Sequence, residues 1–192
     1  MELREKTLEQ EYIYRGKILN LRRDIAELPN GAHVVREVVE HHGGVTVAAL
    51  TDEDELLFVR QFRYPSGELL LELPAGKLEA GEDPLSAAVR ELHEETGADA
   101  ERVYSLGWFY VSPGYTTERL YLYAACGLSF GKQALDADEF LDVEKMKFDD
   151  ALKAALGEGF HDAKTDISIL KLAYLRQSGM PEPGDRQKKV SI

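Results

Sequence analysis

A disulfide framework and a cysteine-built metal site are both closed to this chain, because its 192 residues include one cysteine, Cys126. Cys126 sits in the apolar run from Leu120 to Leu128 and is expected to be a small buried hydrophobe. Basic residues are also in deficit: 23 Lys plus Arg against 35 Asp plus Glu leave a formal charge of −12. An acidic surface repels phosphate backbones and anionic headgroups, which argues against nucleic-acid and membrane partners. No apolar run approaches the roughly 20 residues of a membrane span, and Met1-Glu2-Leu3-Arg4-Glu5-Lys6 has no apolar secretory core. A cytoplasmic protein is expected. What remains is ordinary globular composition, 44% hydrophobic and 30% charged, at a length suited to one domain with a small appendage.

Strand-like patterning runs from Glu11 to Val39 and is broken by Pro29-Asn30-Gly31, a turn signal between two apolar runs. Residues 1–43 are therefore expected to form a small N-terminal antiparallel β unit. Two buried strands follow, Val45–Leu50 and Leu56–Val59, then a loop from Gln61 to Glu68 and a strand from Leu69 to Leu73. Asp83 as cap, Pro84 at the first helical position and Gly97 as stop predict one helix from Pro84 to Thr96. With Leu85 at zero and about 100° per residue, Ala88, Val89, Leu92 and Thr96 fall within about 60° of it. That face is expected to pack on a sheet. Further strands are expected at Val103–Val111, Leu120–Cys126 and Phe140–Val143, and helices at Asp149–Gly157 and Thr165–Arg176. Trp108 is assigned to the core. The result is an α/β domain over residues 44–176 and a tail, 177–192, expected to be flexible.

The informative segment is Gly76-Lys77-Leu78-Glu79-Ala80-Gly81-Glu82, followed by Arg90-Glu91-Leu92-His93-Glu94-Glu95-Thr96-Gly97-Ala98. On a helix Glu91 lies about 40° from Glu95 and about 60° from Glu94, so the three can converge. As a solvated surface this is poorly built: like charges at i,i+4 destabilise a helix by roughly 0.2–0.5 kcal/mol, and acids near a C-terminus oppose its dipole. Only Arg90 offsets them locally. Clustered oxygen donors without His or Cys suit a hard cation, Mg²⁺ or Mn²⁺. Pro74-Ala75-Gly76 runs across the helix, where a backbone carbonyl could join the set. Such a cage suits a phosphate substrate.

This stretch resembles the Nudix box, G-x5-E-x7-R-E-U-x-E-E-x-G-U with U apolar. Gly76, Glu82, Arg90, Glu91, Leu92, Glu94, Glu95, Gly97 and Ala98 fill its fixed positions over 23 residues. The resemblance implies an α/β/α sandwich with a mixed sheet, the small N-terminal antiparallel β-domain beside it, and hydrolysis of a nucleoside diphosphate linked to another group. It also implies Glu91 and Glu95 as principal metal ligands, Glu94 and Glu82 binding directly or just outside them, and the Ala75 carbonyl as a further ligand. Arg90 is implied as the partner that orients the glutamates.

Outside the box, Leu71-Glu72-Leu73-Pro74-Ala75-Gly76-Lys77 and Ser112-Pro113-Gly114-Tyr115-Thr116-Thr117-Glu118 resemble the ADP-ribose pyrophosphatase branch, which implies a substrate role for Pro113, Gly114, Tyr115 and Glu118. ADP-ribose needs a slot for adenine and cations for its phosphates. Arg36 and Arg63 are the expected cations, and Tyr14, Tyr64 and Tyr115 the expected stacking residues. In this branch the general base is a glutamate on a late loop. Here that is Glu139, with Asp136 and Asp138 as alternatives. His93 is expected at the surface, and His41-His42 in a turn. The N-terminal segment resembles a unit exchanged between subunits, so a homodimer is expected. The alternatives are a Nudix pyrophosphatase for GDP-mannose, another nucleotide sugar or a dinucleotide, and a nucleotide-sensing Nudix module without catalysis.

Overall fold

The computed structural model describes residues 2–137 and 139–179. Most of the expected tail, residues 180–192, and Asp138 lie outside them. The N-terminal segment makes three strands, β1 (Lys6–Arg15), β2 (Leu19–Glu27) and β3 (His33–His41), in an antiparallel sheet of order β1-β2-β3. Two turns divide it. The expected one lies at Leu28–Ala32, where Gly31 takes φ +83°. The second lies at Gly16, whose N–H donates to the Leu19 carbonyl at 2.9 Å. Every residue of β1 is exposed. The sheet is tied to the remainder through β3: Val39 N–H donates to the Tyr115 carbonyl at 2.8 Å, and the Val39 carbonyl accepts from Thr117 N–H at 3.0 Å.

The remainder comprises β4 (Gly44–Ala49), β5 (Glu55–Arg63), β6 (Glu68–Glu72), β7 (Ala75–Lys77), α1 (Pro84–Thr96), β8 (Ala98–Tyr110), β9 (Arg119–Phe130), β10 (Leu141–Lys147), α2 (Phe148–Leu156) and α3 (Ala163–Gln177). Its sheets run β7-β4-β9-β8 and β10-β5-β6. The β4–β9 pair is parallel and the other ladders are antiparallel, so the arrangement is mixed. All of β4 is buried. Its Val45, Val47 and Ala49 pack with Ala88 and Leu92 of α1, while Ala48 packs with Ile169 and Leu172 of α3. Burial on both faces explains the unbroken apolar run of β4. The fold is the expected α/β/α sandwich with an added antiparallel sheet.

Helix α1 has the expected limits because its ends are locally encoded. The Asp83 carboxylate accepts from Ser86 N–H at 3.0 Å, Pro84 opens the first turn, and Gly97 closes the last at φ +69°. Elsewhere the boundaries move. β5 continues through Arg63, so Gln61 to Arg63 belong to a strand rather than to the expected loop, and Ala75–Lys77 is a short strand. The last strand is Leu141–Lys147, where alternating charges conceal the pattern. Trp108 is half exposed and not in the core. A bulge at Gly107, φ +93°, inserts one residue, so Leu106 and Phe109 both meet the α3-side core and Trp108 turns away to an edge contact with Tyr110. Cys126 is half-buried.

Candidate active site

The rotation of α1 differs from expectation, and the difference defines the site. Leu85 and Val89 are 45% and 42% exposed, whereas Ala87, Ala88, Glu91, Leu92, Glu95 and Thr96 are buried. The buried arc is turned about 70° from the one centred on Leu85, so Glu91 and Glu95 lie inside it. The cause is β7, which runs over the helix. Ala75 N–H donates to Glu95 Oε2 at 2.9 Å. At Gly76 a Cβ would come within 1.9 Å of the Glu91 carboxylate, so only glycine leaves room for that side chain.

Arg90 gathers the other carboxylates. Its Nε and Nη2 donate to the two Glu82 oxygens at 3.0 and 3.1 Å, and Nη1 donates to Glu91 at 2.9 Å and Glu94 at 2.8 Å. Hydrogen bonding to Arg90 lowers the Glu82 pKa, and hydrogen bonding to Glu82 raises that of the guanidinium further. Burial dominates at Glu91 and Glu95. It raises Glu91 despite Arg90, and it pushes Glu95 up to about 8. The Glu139 carboxylate adds to both shifts by repulsion. Two buried carboxylates that resist ionisation, a glycine cleared for one of them and a backbone strand against the other form an oxygen donor set fitted to a divalent cation. Among the described residues, no three such groups already converge at ligand spacing. Arg90 binds Glu82, Glu91 and Glu94, and Glu95 accepts instead from Ala75 N–H.

Arg90, Glu91, Glu94 and Glu95 floor a cavity of about 650 Å³, within the range of nucleotide-sized ligands. Lys17, Ile18, His41 and His42 line it from the N-terminal sheet, Gln61 and Arg63 from β5, and Glu118 and Leu120 from the β8–β9 turn and β9. Asp136, Glu139, Asp162 and Lys164 close the far side. Of the residues expected at the substrate, Arg63 and Glu118 line this cavity. Arg36, Tyr64, Pro113, Gly114 and Tyr115 do not line it within this chain. Arg36 is instead paired with Glu5 at 2.7 Å, and the Tyr64 ring is 88% exposed. Tyr115 is exposed, and its backbone carbonyl accepts from Val39 of β3 at the junction of the sheets. Tyr14 is exposed on β1. His93 is paired with Asp99 at 3.0 Å and half exposed. His41 ends β3 and lies 3.5 Å from Glu118, a place in the site rather than in a plain turn.

A second group was not foreseen. Glu72 is 1% exposed and accepts from Arg63 Nε and Nη2 at 2.7 Å each and from Lys164 Nζ. Lys164 also donates to Asp162 at 2.8 Å, and Asp162 caps α3. The bonds from Arg63 and Lys164 outweigh burial and lower the Glu72 pKa. Arg63 therefore meets the cavity with two of its nitrogens already engaged. The alternation Gln61, Phe62, Arg63 could have shown that Gln61 and Arg63 share a face. Nothing local signals Lys164.

Family comparison accords with this geometry. A Nudix-domain family model matches residues 40–165, and one for the nucleoside diphosphate sugar hydrolase N-terminal domain matches residues 5–39. The chain belongs to the Nudix family, whose hydrolases generally need a divalent metal. It is 44% identical to an ADP-ribose pyrophosphatase of Bacillus subtilis (strain 168) over 87% of this chain and 91% of that protein. It is also 44% identical to a methanol dehydrogenase activator of Bacillus methanolicus, over 86% and 90% of the two chains. A solved ADP compounds hydrolase shares the fold at TM-score 0.81 and 22% identity, over 93% of this chain and 98% of that one.

Proposed function

We propose that the chain is a Mg²⁺-dependent pyrophosphohydrolase that converts ADP-ribose and water to AMP and ribose 5-phosphate. The observation that carries the reading is the pair of buried carboxylates, Glu91 and Glu95, on the floor of a 650 Å³ cavity that Glu139 faces from another loop. Glu91 and Glu95 hold Mg²⁺, with Glu94, Glu82 and the Ala75 carbonyl in support. The cation, when bound, neutralises phosphate oxygens and makes water more acidic. Arg90 orients the glutamates, since its fork touches three of them. Arg63 and Glu118 contact substrate from the cavity wall. Water oxygen bonds to one phosphorus as the bond from that phosphorus to the bridging oxygen breaks. Glu139 takes the proton, and the departing phosphate monoester keeps the bridging oxygen. Mn²⁺ can substitute, having the same preference for oxygen donors.

The test compares kcat/KM for ADP-ribose, GDP-mannose and a dinucleotide with and without Mg²⁺. ADP-ribose is expected to lead the panel. Preference for GDP-mannose would change the substrate and keep the mechanism, whereas nucleotide binding without turnover would leave a sensing module. The proposal includes a homodimer built through the N-terminal sheet, whose β1 is exposed throughout, with Ile13 at 51% and Tyr14 at 58%. Light scattering is expected to give twice the chain mass; a single-chain mass removes the dimer.

A further inference from the structure

The cationic groups around the base of the cavity are largely engaged: Arg90 holds Glu82, Glu91 and Glu94, while Arg63 and Lys164 hold Glu72. Gln61 differs. It lines the cavity, yet its Nε2 is buried with no hydrogen-bond partner among the described residues. Buried polar groups nearly always have a partner, and an orphan in the wall of a site points to one supplied in the working state.

Topology indicates which partner. In the antiparallel ladder between β10 and β5, Gln61 lies opposite Leu141. Glu139 stands two residues before Leu141, so the chain that carries it enters β10 beside Gln61. Both residues line the same cavity. The Glu139 carboxylate is lightly held, with one long bond from Asp136 N–H at 3.3 Å. A base so loosely fixed lacks the positioning that proton transfer over about 3 Å demands.

We propose that Gln61 is a positioning residue, whose side-chain amide donates to the Glu139 carboxylate in the substrate-loaded protein and aims its other oxygen at the attacking water. The inference rests on the reading of Glu139 as the proton acceptor. A neutral amide suits this task. Arginine or lysine in the same place would stabilise the charged carboxylate and weaken it as a base, whereas an amide orients it with little loss of basicity.

A double-mutant cycle with Gln61→Met, Glu139→Gln and their combination tests the idea, with kcat and KM for ADP-ribose measured in saturating Mg²⁺. Met keeps the length and removes the donor. It is expected to lower kcat about tenfold with KM unchanged, the worth of roughly one hydrogen bond. Its Tm should be equal or higher, because an unpaired buried group is removed. The double variant should be no slower than Glu139→Gln alone. Gln61→Glu, which preserves shape and sets two carboxylates together, should lose more than Gln61→Met and serves if the Met variant folds poorly. An impaired Glu139→Gln with a full-rate Gln61→Met, or with losses that multiply in the double variant, overturns the role of Gln61 and leaves the base in place. A full-rate Glu139→Gln overturns both.

Discussion

Glu72 and Glu95 are equally buried glutamates, 1% and 3% exposed, and they have opposite electrostatic fates. Glu72 is gripped by Arg63 and Lys164 and its pKa is lowered; Glu95 has a backbone N–H and, among the described residues, no ion-pair partner, and burial pushes it up to about 8. Glu95 lines the cavity, and Glu72 lies behind the Arg63 and Lys164 that line it, so depth alone does not separate them. The difference lies in who neutralises the charge. A buried carboxylate with its own cations is a finished structural element, and breaking such a pair costs a protein about 3–5 kcal/mol. A buried carboxylate without them is unfinished, which is the condition a cation-binding group requires.

That contrast breaks if the two glutamates respond alike to substitution. The largest effect is expected from Glu95→Gln, which should lower Mg²⁺-dependent turnover by at least about a hundredfold. Stability should hold or rise, since no ion pair is lost; a loss of fold instead would place Glu95 with Glu72. Next comes Glu72→Gln, which leaves two cations facing a neutral amide. A loss of about 3 kcal/mol is expected, or roughly 6–12 °C in Tm, with the residual folded protein still turning over substrate.

The smallest effect sharpens the same comparison through pH. Between the ordinary 4.5 and about 8, folded Glu95 keeps a proton that the unfolded chain has released. Raising pH through that window therefore destabilises the metal-free protein, while Glu72, lowered on folding, contributes stability that is lost only as pH falls through its folded value. Metal-free melts across this range should decline toward the alkaline side, Mg²⁺ should stabilise more as pH rises, and Glu95→Gln should flatten the slope. An identical slope in Glu95→Gln would remove Glu95 as its source.

Much of this was readable in one dimension. Local signals set the limits of α1, because Asp83, Pro84 and Gly97 act on their own backbone within a few residues. The spacing of Glu91, Glu94 and Glu95 and the compensation by Arg90 were also legible, since i,i+4 geometry requires no tertiary partner. Substrate residues were less so. Arg36 and Arg63 are both expected as substrate cations, yet one pairs with Glu5 on a peripheral sheet and the other lines the cavity. Neither neighbourhood shows which of the two reaches the cavity.

By itself, then, the sequence determined which helix carries the site, where that helix begins and ends, and which oxygen donors it presents. Those properties depend on residues a turn or two apart. Tertiary structure alone decided how the helix is rotated and what each carboxylate meets. Hydropathy turns glutamate outward, and only β7 laid across α1 turns Glu91 and Glu95 in. Glu72 and Lys164 are 92 positions apart, and their ion pair exists because β6 and α3 are brought together by a shared core. Whether a buried charge is neutralised depends on such long-range partners, which no local pattern records.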